Sequence, residues 1–190
     1  MPSKNLDQNR LFEAAVREGT AAFQAAISQY PQEQFYAFSF YTDNDVTSLY
    51  PVANTVEGLQ RIDPGDDPEE RNYYQWTPDE WDIDFGQYDE ADLMAETNQL
   101  LQPTADEYEL DESLEAFGER KRCTLLALNK ALLSIRETGI FSGHSAREKL
   151  AFWVNIGDPM PDEVEWMLNP TIPHLEAQDA AALQALLLED

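Results

Sequence analysis

The hydrophobic period of this chain changes between residues 30 and 35, and that change constrains the fold more than any other feature. Before it, Leu11, Phe12, Ala15, Val16, Ala22, Phe23, Ala26 and Ile27 recur at three- and four-residue spacing, the signature of an amphipathic helix. Asp7 suits an N-cap and Tyr30-Pro31 ends the pattern, so the spacing predicts a helix over 7–30, interrupted only at Gly19. After it, Phe35-Tyr36-Ala37-Phe38-Ser39-Phe40-Tyr41 is aromatic-rich and reads as a strand. Phe38 and Phe40 share one face; Ala37, Ser39 and Tyr41 share the other. The small residues predict a helix packed closely over that second face.

Thr42-Asp43-Asn44-Asp45 is a turn signal, and Val46 to Ala53 reads as the returning strand of a hairpin, with Pro51 pointing to an edge or an end. Asn54-Thr55-Val56-Glu57 resembles a capped start of a short helix. Asp63 to Glu70 reads as a loop, Asn72 to Trp76 as a third strand, and Thr77-Pro78-Asp79-Glu80 as another helix start. Helices are expected over 88–102 and, most strongly, over 111–138, with Gly139 as its C-cap. Leu150 to Ile156 is apolar except for Asn155 and reads as a central strand. Short helices over 162–168 and 176–188 complete the pattern. The expected fold class is α+β: a mostly antiparallel sheet, made of the hairpin 35–53, strand 72–76 and late strand 150–156, packed by helices 7–30 and 111–138. Residues 1–169 are expected to form a single domain. Residues 174–190 are expected to be a C-terminal helical appendage beyond the Pro170 and Pro173 linker.

Charge is distributed unevenly. Residues 62–119 hold 20 Asp and Glu against one basic residue, Arg71, in a chain of 190 residues with net charge -25. Such a field repels phosphate backbones and anionic lipids, so neither nucleic acid nor a membrane surface is an expected partner. A basic protein is. Aromatic content of 11% and hydrophobic content of 43% suffice for a core. A single cysteine, Cys123, excludes an internal disulfide framework. With no apolar run at the N-terminus and no membrane-length apolar stretch, cytoplasmic localisation is expected.

Catalytic signatures are weak. Asp82-Ile83-Asp84 is an Asp-x-Asp pair, but Gly86 falls too early for a calcium loop. One cysteine and two histidines, His144 and His174, do not make a zinc set. Ser145 lacks a nucleophile elbow, and no phosphate-binding glycine loop exists. Cys123 follows Arg120, Lys121 and Arg122, which would lower its thiol pKa, although a small buried filler is the commoner role. No cofactor and no metal site is expected. The aromatic residues within the acidic segment suggest a different chemistry. Trp76, Asp79, Glu80, Trp81, Asp82 and Asp84 are the candidate contact for a basic partner: aromatic anchors ringed by acids that steer encounter and pair with Arg or Lys.

Three stretches together resemble a known family: Tyr36-Ala37-Phe38-Ser39-Phe40-Tyr41-Thr42-Asp43, then Asn54-Thr55-Val56-Glu57-Gly58-Leu59, then Tyr74-Gln75-Trp76-Thr77-Pro78-Asp79-Glu80-Trp81. The chain is similar over residues 8–160 to an uncharacterised bacterial family, domain of unknown function 4303. The resemblance implies an opening helix, a Tyr-Ala strand and a Trp-rich acidic segment, and no catalytic residues. The sequence thus leads to a non-enzymatic acidic protein-binding module, in its concrete form an immunity-type inhibitor of a basic toxin or nuclease. Two alternatives stay open: a carboxylate-based metal-dependent enzyme or small-ligand-binding domain, and a housekeeping protein with an acidic solubility surface, whose function would lie in a pocket lined by Tyr36, Tyr41 and Trp153. The apolar side of the terminal helix (Leu183, Leu186, Leu187 and Leu188) is a candidate homodimer face.

Overall fold

The computed structural model describes residues 7–62, 65, 67–84, 93–102, 114–146 and 149–188. Helix α1 spans Gln8–Gln29, and the Asp7 carboxylate accepts the Arg10 backbone N–H at 3.1 Å as its cap. Strands β1 (Phe35–Thr42) and β2 (Leu49–Thr55) form the expected antiparallel hairpin. Helix α2 (Val56–Ile62) follows directly, then α3 (Pro68–Trp76), a 3-10 turn over Pro78–Glu80, and the two-residue strand β3 (Ile83–Asp84). Helices α4 (Ala95–Leu101) and α5 (Leu114–Glu137) lead to strand β4 (Ala151–Ile156). Helices α6 (Pro161–Leu168) and α7 (Ala177–Leu188) finish the chain. Gly139, just beyond α5, has φ 78°, the left-handed conformation expected past a helix end. Residues 88–92 and 111–113 of the expected helices lie outside the described residues.

The fold is α+β, and its sheet is mixed. Strand order is β3-β2-β1-β4: the β3/β2 and β2/β1 pairings are antiparallel, while β4 runs parallel to β1. The parallel pairing is open to β4 because everything from β2 to α5 lies between it and β1, the long crossover such a pair requires. The outer edge of β4 is capped by a side chain: Asn129 of α5 accepts the Val154 N–H at 3.2 Å.

One expected strand is a helix. Residues 72–76 belong to α3, whose start carries a complete N-terminal signal: Asp67 accepts the Glu69 N–H at 3.0 Å, Pro68 opens the helix, and Glu69 and Glu70 sit in its first turn. That signal outweighs the strand preference of Tyr73 and Tyr74. It also shortens the loop expected to run through Glu70. The third strand is β3 instead, which among the described residues pairs with Val52 and Ala53 of β2.

The two faces of the sheet are filled differently. On one, Phe38 and Phe40 of β1 and Phe152 of β4 pack with Phe23 of α1 and Phe141, with ring centroids 4.3–5.7 Å apart for Phe38–Phe141, Phe23–Phe38 and Phe23–Phe40. Helix α1 approaches closely here. A Cβ on Gly19 would lie 2.6 Å from Phe40 Cζ and 2.8 Å from Ile135 Cδ1 of α5. The helix that packs tightly on the sheet therefore covers the phenylalanine face, not the small-residue face. Opposite Ser39, the small residues make room for indoles: Trp153 meets Trp81 at 5.4 Å and Trp76 at 6.0 Å, and Tyr36 closes on both. Helix α7 packs against α3 and α6, with Leu183 fully buried.

Candidate functional site: an acidic groove at the strand ends

Strands β1 and β4 run parallel and end side by side, at Thr42 and Ile156. Beyond the carboxyl ends of parallel strands an open sheet leaves a crevice. Here that crevice is a groove of about 270 Å³. Its floor comes from the strand ends: Tyr41, Asn155, Gly157 and Asp158. One wall is the end of α3 and the turn after it (Tyr73, Trp76, Thr77, Pro78 and Asp79); the other is Leu186 and Leu187 of α7.

Local chemistry sets each of these positions. Buried Asn155 is held by accepting the Trp153 indole N–H at 3.3 Å. Gly157 lets the Tyr41 hydroxyl lie against the backbone, since a Cβ there would be 2.8 Å from it. Asp158 turns the chain with φ 52°, a left-handed conformation that Asp tolerates better than most residues. The Tyr73 hydroxyl donates to Glu80 Oε1 at 3.1 Å, tying the α3 end to the 3-10 turn.

The groove is electrostatically one-sided. Partial burial raises the Asp79 carboxyl above the ordinary carboxylate range, and the charges of Glu80 and Asp158 add to it. Asp79 is still exposed along its outer side, so this desolvation is incomplete. Burial, followed by the charges of Asp79, Asp158 and Asp43, raises the Tyr41 phenol. Among the described residues that line the groove, none is basic.

The six residues singled out from the sequence are only partly brought together. Trp76 and Trp81 are core side chains, 1% and 4% exposed, and are not surface anchors. An indole has more apolar area to bury than any other side chain, and the Ser39 face of the sheet provides the space for it. Asp82 is engaged by Arg61 at 2.9 Å, and Asp84 lies in β3. Asp79 lines the groove, and Glu80 stands beside it, tied to Tyr73. Of the pocket expected from Tyr36, Tyr41 and Trp153, only Tyr41 reaches the groove; the other two are buried beneath it. Sequence reading missed Tyr73, Asn155 and Asp158, and read Leu186 and Leu187 as part of a homodimer face, not as a wall of this groove. The Gly157-Asp158-Pro159 turn directly after an apolar strand was the available signal.

The Asn-Thr-x-Glu stretch has a structural role. Thr55 Oγ1 accepts the Gly58 N–H at 2.8 Å, capping α2, and donates to Glu33 Oε2 at 2.6 Å. Glu57 accepts the Gln34 N–H at 2.8 Å and does not close a capping box on α2. Arg61 bridges Glu33 and Asp82. Burial pushes the Glu33 carboxyl up, but hydrogen bonds from Arg61 and Thr55 win and hold it below the usual range. Those two carboxylates in turn raise Arg61 further.

Among the described residues, no group of three or more His, Cys, Asp or Glu is placed to hold a metal ion. The Cys123 thiol faces Glu119 Oε1 at 3.5 Å, and His144 supplies its backbone carbonyl to the Phe35 N–H. No described helix is long and apolar enough to cross a membrane.

No curated protein and no solved structure matches the chain. The family model of a domain of unknown function (DUF4303) matches residues 15–170, from within α1 to just past α6. The groove's floor and its α3 wall lie inside that span, whereas Leu186 and Leu187 lie beyond it. The ordered Tyr-Ala, Asn-Thr-x-Glu and Trp-rich motifs fall in the same span, and the chain belongs to the DUF4303 family.

Proposed function

We propose that this protein is a non-enzymatic binding module that takes a basic protein against the acidic surface around the groove. One observation carries the reading: Asp79, Asp158 and Tyr41 converge on a groove in which none of the described lining residues is basic. An approaching Lys or Arg would relieve the repulsion among those carboxylates, and the wider field of a chain at -25 would steer it in. A basic toxin of the nuclease type, whose own cationic site accepts phosphates, has the matching charge, and an immunity-type inhibitor is the concrete form of the proposal. Capture from native lysate at low salt tests it, comparing wild type with the triple variant Asp79→Asn, Glu80→Gln, Asp158→Asn. A basic protein retained by wild type, released by salt and lost by the variant is the expected result. Equal recovery on both overturns the assignment.

A second reading is favoured by the same carboxyl. A raised acid in a groove beside a second acid is a common feature of ligand sites, which supports a small cationic ligand in place of a protein. Thermal-shift screening of amines and divalent cations against wild type and Asp79→Asn separates the two.

A further inference from the structure

We infer that the groove is a receptor for a single guanidinium group, an arginine side chain projecting from the basic partner. The inference rests on the binding-module reading and specifies its anchor. Size comes first. At about 270 Å³ the groove lies just below the range of roughly 300–1,000 Å³ typical of small-molecule pockets. A groove of that size suits one long side chain better than a whole helix.

Its walls match the two parts of arginine. Leu186 and Leu187, both half-buried, offer an apolar surface for a methylene stem. Asp79 and Asp158 line the same groove, and the Tyr41 hydroxyl lies against Gly157 at the strand ends. A guanidinium carries five donors in a planar fork, enough to serve two carboxylates and a phenol oxygen at once. It is also more weakly hydrated than an ammonium and stacks on aromatic rings, and Tyr73, 41% exposed at the rim, offers one. Lysine, a compact and strongly hydrated charge, would leave part of that set unused.

The α7 wall adds a consequence specific to this chain. Leu186 and Leu187 lie outside the family-matched span, so the stem contact belongs to a segment beyond the shared domain.

The test uses the full chain and three capped tripeptides, Gly-Arg-Gly, Gly-Lys-Gly and Gly-citrulline-Gly, titrated by NMR chemical shift. Citrulline keeps the shape of arginine without the charge. The arginine peptide should bind about tenfold or more tightly than the citrulline peptide and more tightly than the lysine peptide, since one well-made charged contact is worth about a factor of ten. Asp79→Asn with Asp158→Asn should weaken it by the same factor. Leu187→Ala should weaken it less, and Glu119→Gln, on α5, should leave it unchanged. Circular dichroism confirms that each variant is folded; both aspartates are exposed, so their replacement does not touch the core. Equal binding of arginine and citrulline, equal binding of arginine and lysine, or indifference to the double variant overturns the anchor. If the peptides fail while a basic partner is still captured in a salt-sensitive way, the module stands and the anchor falls. If the arginine peptide binds as stated but no partner is captured, the anchor stands and the module falls.

Discussion

Separating Lys121 from Glu163 should be among the most damaging single changes in this protein. Lys121 on α5 and Glu163 in the first turn of α6 form an ion pair in which each residue is only 7% exposed. The pair therefore sits almost out of water, and the energetics are those of a buried bridge. Removing one member leaves the other charge buried without its counterion, which costs about 3–5 kcal/mol. At roughly 2–4 °C per kcal/mol for a chain of this size, Lys121→Met should lower Tm by roughly 6–20 °C. Glu163 has a second task, because its Oε2 accepts the Met160 N–H at 2.9 Å at the start of α6. Glu163→Gln keeps that acceptor while losing the charge, so it isolates the ionic contribution. In the double variant Lys121→Met, Glu163→Gln both desolvation costs disappear together, and most of the loss should be recovered. Urea unfolding followed by the fluorescence of the four tryptophans completes the cycle. A Lys121→Met penalty below about 1 kcal/mol, or a double variant as unstable as the sum of the two singles, would refute the argument.

Further outcomes follow from particular contacts. Gly19→Ala should destabilise by about 1–2 kcal/mol in chemical denaturation, because the overpacking of a Cβ 2.6 Å from the rigid Phe40 ring outweighs the roughly 1 kcal/mol gain in helix propensity. Asp43 organises the hairpin loop, accepting the N–H groups of Asp45, Thr47 and Ser48 at 2.9, 3.1 and 2.7 Å and so holding Val46 at φ 54°. Burial raises the Asp43 carboxyl, but those bonds and the Ser48 and Thr47 hydroxyls win and place it below the ordinary range. Its stabilisation is thus fully present above the unfolded value of about 3.9 and is lost as pH falls through the lower folded value; the gap between wild type and Asp43→Asn should close over that window in pH-dependent melts. Asp79 is shifted the other way, so its ionised form is disfavoured in the folded protein, and Asp79→Asn should leave Tm at neutral pH unchanged or raised even as binding is lost. Leu183→Ala should cost about 2–5 kcal/mol and loosen α7 from α3, read as faster amide exchange in both helices.

Local grammar determined much of this protein. The three- and four-residue spacing of Leu11 to Ile27 made α1, the aromatic alternation from Phe35 made β1, and the apolar run from Leu150 made β4, because a segment that must bury one face has few ways to do so. The Asp67-Pro68-Glu69-Glu70 start of α3 was equally legible and lost only to the strand preference of Tyr73 and Tyr74. Tertiary structure alone decided the rest. Nothing local states that β4 lies parallel to β1, since strand direction is set by a crossover of more than a hundred residues. Nor does a tryptophan's own neighbourhood reveal whether it anchors a partner or fills the core; Trp76 and Trp81 are buried because Trp153, far along the chain, lies across the sheet from them. The groove follows the same rule. Tyr41, Asp79, Asp158 and Leu187 are spread over most of the sequence, and they become one site only when two strand ends, a helix end and the last helix are packed together.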